Sequence, residues 1–144
     1  MIKNTAYKLF IFLFFMLFST FAFAQVSVEY FGGAERVSGS CALLKVGDSS
    51  VIIDCGSFYD EGNLPSNNSV IDKKLISADA MVLTHAHNDH SGRILQLMSE
   101  GFKGKIYCTD ATKKYFLKCM TTVGIMLMLK RNIFGPGLKE KNFN

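Results

Sequence analysis

The sequence has 144 residues and a formal net charge of +4 at pH 7, and 49% of its residues are hydrophobic. This length allows one modest domain. The four cysteines lack the paired C-x-x-C spacing of a zinc ribbon, which excludes that class of metal-stabilised domain. From Lys103 onward, the sequence contains nine Lys and Arg residues but only two acidic residues. This bias fits a polyanionic partner such as nucleic acid, with a solvated basic face as the alternative.

The N-terminal segment has the features of a secretory signal peptide. Two lysines precede an apolar run over residues 9–18, and an Ala-x-Ala sequence ends at Ala24. We expect residues 1–24 to be removed before Gln25, and the chain to be exported to the periplasm or the medium. The alternative is an uncleaved membrane anchor, although the apolar run is short for a bilayer span. We predict no other membrane segment.

The next segment indicates a strand, a glycine-rich loop and a hairpin. Residues 26–31 alternate apolar and polar side chains, which is the period of a half-buried strand. Residues 32–40 contain three glycines, which indicates a loop whose backbone passes close to another group. A phosphate-cradling role is the alternative, but the P-loop lysine and the G-x-G-x-x-G spacing are both missing. Residues 41–46 and 51–55 are predicted to be two strands joined by a short turn.

Two features of this hairpin leave alternatives open. Asp54 closes the second predicted strand, where a buried carboxylate is costly unless it is hydrogen-bonded. It either bonds the backbone or a metal-ligating His nearby, or it caps the turn. Cys41 and Cys55 are on paired strands. They are either buried free thiols or a cross-strand disulfide, which export would permit.

Helices and strands alternate downstream, which predicts an α/β layer fold with a sheet covered by helices. A polar surface loop is expected at residues 57–69. Ser91 is expected to cap a helix that runs to about residue 100, and Thr109 or Asp110 to cap a second helix. The remaining predicted elements are a helical turn at 70–76 and strands at 80–83 and 105–108.

The loop after the strand at 80–83 concentrates metal-binding side chains. All three histidines of the chain occur there with an aspartate, as His85, His87, Asp89 and His90. Residues two apart in an extended segment point the same way, so His85 and His87 can reach one ion. Asp89 and His90 follow where the chain begins to turn, and a second ion a few Å away is their natural target. Imidazole and carboxylate suit zinc, while chance histidines on a polar loop are the alternative.

The sequence of residues 84–90 resembles the H-x-H-x-D-H signature of the metallo-β-lactamase fold hydrolases. Three further stretches, at residues 32–41, 52–56 and 101–112, are similar to the β-CASP RNA-processing branch of that superfamily, which includes ribonuclease J. The resemblance covers roughly residues 28–116. It implies an αββα sandwich, two zinc ions and hydrolysis of RNA phosphodiesters.

The resemblance also implies a role for each site residue. His85 and His87 would bind the first zinc ion, and Asp89 and His90 would bind the second. Asp89 would in addition be catalytic, because it would help to orient the hydroxide between the two ions. Asp54 matches the first motif of the family, an acidic residue that steadies the metal loop.

The sequence departs from the family in its downstream ligands. The family has a third His for the first zinc ion, a bridging Asp and a further His far beyond this loop, but no His follows His90. We therefore expect residues 25–118 to be the N-terminal part of the sandwich, incomplete in these 144 residues and bare on one sheet face. Residues 119–144 are expected to be a divergent basic and apolar tail. Two alternatives to an RNA hydrolase follow: a thioester, lactone or β-lactam hydrolase of the same fold, or a truncated, non-catalytic remnant.

Overall fold

The structure, a computed structural model, describes residues 3–18, 25–59, 68–119 and 132–136. The N-terminal helix α1 spans Lys3–Phe18. Within the described ranges, no helix combines the length and the apolarity needed to cross a membrane. The signal peptide at residues 1–24 and the export that it implies stay predictions. Most of the polar loop predicted at residues 57–69 lies outside the described residues.

Five strands form one mixed sheet, and their bounds are Val26–Gly32 (β1), Cys41–Val46 (β2), Ser49–Ile53 (β3), Ala80–Val82 (β4) and Lys105–Tyr107 (β5). Their spatial order is their sequence order. β1, β2 and β3 pair antiparallel, whereas β4 and β5 are added parallel to β3. The parallel pairs need crossover connections, and the helices supply them. The predicted α/β fold class is confirmed.

β3 ends two residues earlier than predicted, at Ile53. Asp54 is the reason, because its backbone φ is 59°, in the left-handed region that few residues other than glycine adopt. The N–H of Asp54 still donates to the carbonyl of Val82 at 3.0 Å, so Asp54 lies at the end of the strand, as predicted, and the chain leaves the sheet there. The strained conformation is a feature that commonly accompanies a functional position.

Besides α1, the helices whose bounds fall within the described part of the chain are Lys73–Ile76 (α2), Asn88–Ser91 (α3), Ile94–Ser99 (α4) and Asp110–Cys119 (α5). The predicted cap of α5 is confirmed at Thr109, whose Oγ1 accepts a hydrogen bond from the backbone N–H of Thr112 at 3.1 Å. The predicted cap at Ser91 is wrong. Ser91 is the last residue of α3, and its hydroxyl is 3.0 Å from each of two loop carbonyl oxygens, those of Ala86 and His87.

The two faces of the sheet differ in how well they are covered. One face is buried against the helices and forms the core, with Leu43, Ile52, Met81 and Ile106 at 0–1% exposure. Strands alternate residues between the two faces, and the other face is also mostly apolar, with Leu44, Ile53 and Val82 on it. Its side chains are nevertheless only half-buried or exposed, and Tyr30 on β1 is 64% exposed. Among the described residues this face is the less covered of the two, and the incomplete sandwich stays a prediction.

Part of the predicted tail packs on the sheet. The backbone N–H of Ile106 donates to the carbonyl of Ile133 at 2.8 Å, and the N–H of Gly135 donates to the carbonyl of Ile106 at 2.9 Å. Ile133 is 7% exposed, so it belongs to the core. The remaining tail residues, 120–131 and 137–144, lie outside the described residues.

All four cysteines are free, so the alternative of a disulfide between Cys41 and Cys55 is not what the structure shows. Both of these thiols are buried. The neighbouring Cys55 thiol and the burial both raise the pKa of the Cys41 thiol far above its usual value. Burial likewise raises the pKa of Cys108, whereas Cys119 is exposed.

Candidate metal centre

The candidate ligands lie on the connection between β4 and α3. The backbone leaves the sheet after the N–H of Leu83 donates to the carbonyl of Tyr107 at 2.9 Å. Residues 83–87 have no regular secondary structure, and His87, with φ and ψ of −63° and 148°, is extended immediately before α3. The structure therefore places His85 and His87 on this irregular segment, and Asp89 and His90 in the first turn of a helix.

Asp54 is the acidic residue beneath this loop. Its side chain is buried, and its Oδ1 accepts a hydrogen bond from the backbone N–H of Thr84 at 2.8 Å. Its Oδ2 accepts one from the Thr84 hydroxyl at 2.7 Å and one from Nδ1 of His90 at 2.7 Å. The contacts thus favour the interpretation of Asp54 as a carboxylate that holds the loop and a metal-ligating His.

These hydrogen bonds also indicate which ring nitrogen carries the proton in His85 and in His90. His90 must donate from Nδ1, because a carboxylate oxygen only accepts. The Thr84 hydroxyl gives its one proton to Asp54, so it accepts from Nδ1 of His85 at 3.0 Å. In both rings Nε2 therefore keeps its lone pair, and that is the atom through which imidazole binds a metal.

Backbone contacts attach the loop to the first hairpin. The N–H groups of Ser40, Cys55 and Ser57 donate to the carbonyls of residues 89, 90 and 88 at 2.8, 2.8 and 2.9 Å. Gly56 lies so close that an added Cβ would be 1.6 Å from the carbonyl oxygen of Asp89. Only glycine fits at this position. The sequence analysis did not identify Gly56 or Thr84 as supports of the site.

The ligand side chains are close to one another. The ring centroid of His85 is 4.0 Å from that of His90 and 4.8 Å from that of His87. Oδ2 of Asp89 lies 3.4 Å from Nε2 of His90. Two ligand atoms on one tetrahedral zinc ion, each about 2.0–2.1 Å from the metal, would be separated by about 3.4 Å. Asp89 and His90 therefore have the spacing of two ligands of one ion.

The fit to zinc is partial. Among the described residues, no group of three or more His, Cys, Asp or Glu side chains is arranged to hold a metal ion. A catalytic zinc ion typically takes three protein ligands and a water molecule. The donor chemistry and the orientation of two imidazoles suit zinc, but this part of the chain brings no complete ligand set to one point.

A cleft of about 360 Å³ opens beside the loop. Its lining is almost entirely apolar and comes from two elements, the metal loop and α5. The lining residues are His85, Ala86, His87, Ala111, Thr112, Tyr115 and Cys119. α5 also carries three lysines against one acidic residue, Asp110, so the cleft lies beside the basic part of the chain.

Comparison with known sequences gives one family. A sequence model described as the metallo-beta-lactamase superfamily matches residues 34–118, which include Asp54 and the whole H-x-H-x-D-H loop. This range is more than half of the chain and contains four of the five strands of the sheet.

Individual relatives have names that refer to RNA. The chain is 44% identical over 109 residues to ribonuclease TTHA0252 of Thermus thermophilus, a match that covers 74% of this chain and 24% of the relative. It is 38% identical over 90 residues to the transcription termination factor FttA of Methanosarcina mazei, covering 61% of this chain and 14% of that protein.

A third relative is an RNase J-like protein of Methanocaldococcus jannaschii, at 36% identity over 88 residues, covering 61% of this chain and 18% of that protein. The chain thus spans a quarter or less of the length of these three curated relatives. The resemblance to the RNA-processing branch is confirmed by these matches.

Proposed function

The chain belongs to the metallo-beta-lactamase superfamily, and on that premise we propose that it acts as a zinc-dependent hydrolase of RNA phosphodiester bonds. The observation that carries this proposal is the hydrogen-bonded chain from His85 and His90 to Asp54. It leaves the Nε2 atoms of these two imidazoles available to a metal, and a His that binds a metal usually donates its other N–H to such a partner.

The residues divide the work as follows. His85 and His87 would hold one ion, and Asp89 and His90 the other. Zinc, when bound, supplies an activated hydroxide at neutral pH and polarises a phosphoryl oxygen. Asp89 is the proposed catalytic carboxylate, because it can accept a hydrogen bond from the attacking water and orient it. Asp54 touches no substrate and acts by positioning His90.

RNA is the proposed substrate because two relatives are named as a ribonuclease and an RNase J-like protein. The lysines of α5 beside the cleft support a polyanionic substrate. A second candidate, a non-catalytic domain that holds metal weakly, is favoured by the incomplete ligand set among the described residues.

Two measurements on purified full-length chain test the proposal. Zinc content after dialysis is expected to exceed that of the His87→Ala variant. Cleavage of single-stranded RNA is expected to require zinc, to be lost in Asp89→Asn, and to persist in Asp48→Asn, a matched change in an exposed hairpin turn. Zinc at background level without cleavage would favour the non-catalytic domain. Turnover of nitrocefin instead of RNA would favour the β-lactam, lactone or thioester hydrolases.

We also propose that residues 1–24 direct export and are removed before Gln25, as the sequence pattern of a signal peptide indicates. Mass spectrometry of the protein recovered from a secreting bacterial host tests this proposal. A mature N-terminus at Gln25 is expected, and an intact N-terminus in the membrane fraction would support the uncleaved anchor.

A further inference from the structure

One side of α5 presents an exposed aromatic ring to the cleft. Ala111, Tyr115 and Cys119 are spaced four residues apart, so they lie along one side of the helix, and all three line the cleft with His85 and His87. The side chain of Tyr115 is 63% exposed. The neighbouring Phe116 is fully buried and supplies the aromatic contact that this helix makes with the core. Tyr115 is therefore not needed for packing.

Positive charge flanks this side of the helix. Nζ of Lys118 lies 5.8 Å from the centroid of the Tyr115 ring, within range of a cation–π contact. Lys114 is exposed beside it. Lys113 differs from both, because its Nζ lies over the ring of Phe134 at 4.9 Å. An exposed ring with two exposed lysines thus adjoins the loop that would bind the metal.

We propose that Tyr115 is a stacking platform for one base of a single-stranded RNA substrate, with Lys114 and Lys118 contacting the flanking phosphates. The proposal rests on the proposed function, because it assigns the base next to the phosphate that reaches His85 and His87. Stacking on aromatic side chains next to a basic surface is how single strands are held without sequence preference. A cleft of about 360 Å³ is within the range of small-ligand pockets.

An apolar peptide fits this surface less well. The lysines would have to lose water without gaining a partner, whereas a nucleotide brings both a π face for the ring and a phosphate for the lysines. The ring accepts the face of any base, so affinity is expected to depend on the presence of a base and little on its identity.

The test measures binding of a ten-nucleotide, fluorophore-labelled oligoadenylate to the full chain by anisotropy, in the presence of a chelator. The variants are Tyr115→Ala and Tyr115→Phe, with Tyr30→Ala as the matched control. Tyr30 has the same exposure, 64%, but lies on β1 beside the glycine-rich loop, away from the histidines. Because Tyr115 is exposed and alanine favours helix, folding is expected to be retained in the variant, and circular dichroism checks this.

Loss of one aromatic–base stack is expected to weaken binding about tenfold in Tyr115→Ala. Tyr115→Phe and Tyr30→Ala are expected to bind like the wild type. An abasic strand of the same length is expected to bind wild type and Tyr115→Ala equally. Lys118→Gln is expected to weaken both strands and to reduce the salt dependence of binding, because a phosphate contact carries no base information.

The chain contains no Trp, so Tyr115→Trp adds a single reporter. Its emission is expected to be quenched by oligoadenylate and not by the abasic strand. Equal binding by Tyr115→Ala and wild type would overturn the stacking platform, as would an equal loss in Tyr30→Ala, or no binding of the strand by wild type. Because metal is absent, these results are independent of the hydrolysis assay. RNA cleavage by the wild type together with unchanged RNA binding in Tyr115→Ala would refute only the stacking platform. RNA binding that depends on Tyr115 without RNA cleavage would refute only the hydrolase.

Discussion

The metal loop has two sides that differ in how completely they are built. On the buried side, so called because the Asp54 carboxylate is buried, this carboxylate accepts hydrogen bonds of 2.7–2.8 Å from the exposed Thr84 and the half-buried His90. The backbone next to the hairpin holds the loop carbonyls. On the open side, His85 and His87 face the cleft beside α5. The described residues therefore contain a hydrogen-bonded support for the site but no complete ligand set.

This difference shows that the residues that hold the loop in place are distinct from most of those that would bind the metal. The support uses close backbone contacts and a buried carboxylate, which are costly to lose. The candidate ligand side chains are half-buried or exposed, so we expect them to contribute less to packing. We accordingly expect substitutions on the buried side to change stability and those on the open side to change binding.

Gly56→Ala is expected to have the largest effect. A Cβ at this position would meet the Asp89 carbonyl oxygen at 1.6 Å, so backbone must move and stability should fall by about 3 kcal/mol. Urea unfolding followed by circular dichroism measures the loss. Gly101→Ala is the control, because its Cβ would have an ordinary contact at 3.6 Å, and only the φ of 121° costs energy, about 1–2 kcal/mol. Equal stability of wild type and Gly56→Ala would mean that the two segments are not in contact.

Asp54→Asn is the next largest change. An amide at this position turns one acceptor oxygen into a donor, which faces either the N–H of Thr84 or the Thr84 hydroxyl and His90 Nδ1, and this should cost about 2 kcal/mol. His90 would then be free to take the other tautomer, with its proton on Nε2. Urea unfolding measures the stability, and Asp48→Asn in the exposed turn is expected to change it by less than about 0.5 kcal/mol. An equally small change in the free energy of unfolding in both variants would contradict the proposed difference between the two sides.

Thr84→Val is expected to have a smaller effect, because it keeps the shape of the side chain and removes one hydroxyl. Two hydrogen bonds depend on that hydroxyl, one to Asp54 and one from His85, and their loss should cost about 1–2 kcal/mol. The variant sharpens the comparison, since it also frees the ring of His85 on the open side. Histidine NMR signals would show a change at His85, and unchanged His85 signals would contradict the proposed proton positions.

Thiol labelling tests the difference between the two sides with the smallest expected effect on the fold. Cys119 lines the open cleft, whereas Cys41 and Cys55 are buried beneath the loop. The pKa of Cys41 and that of Cys108 are raised, so at pH 8 these thiols have a smaller thiolate fraction than an ordinary cysteine. We expect one of the four cysteines to react quickly with Ellman's reagent, and its signal to vanish in Cys119→Ser. Rapid reaction of two or more thiols would mean that the buried side opens readily.

Local patterns in the sequence accounted for much of the fold. The alternation of residues 26–31, the turn after Val46 and the cap at Thr109 depend on near neighbours, so they could be predicted. The left-handed backbone of Asp54 and the approach of Gly56 to Asp89 depend on a contact between distant segments, which no local pattern encodes. Ser91 was assigned to the wrong helix end because a short helix, α3, precedes α4.

The candidate site shows the same division. The spacing predicts His85, His87, Asp89 and His90 as ligands. The family resemblance implies Asp54 as their support, and the structure brings Asp54 to His90. Thr84 was missed because a threonine before a histidine is an unremarkable sequence. Its importance follows only from the two hydrogen bonds that its hydroxyl makes.

Zinc affinity of the Asp54→Asn variant tests the central claim most directly, because Asp54 binds His90 and would not touch the metal itself. Wild type and variant are titrated with zinc in competition with a chromogenic chelator, with Asp48→Asn as the control. We predict that the wild type and Asp48→Asn take up zinc and that Asp54→Asn binds it about 10–100-fold more weakly. Equal affinity in all three proteins, or no zinc uptake by the wild type, would contradict the account of the loop as a supported metal centre.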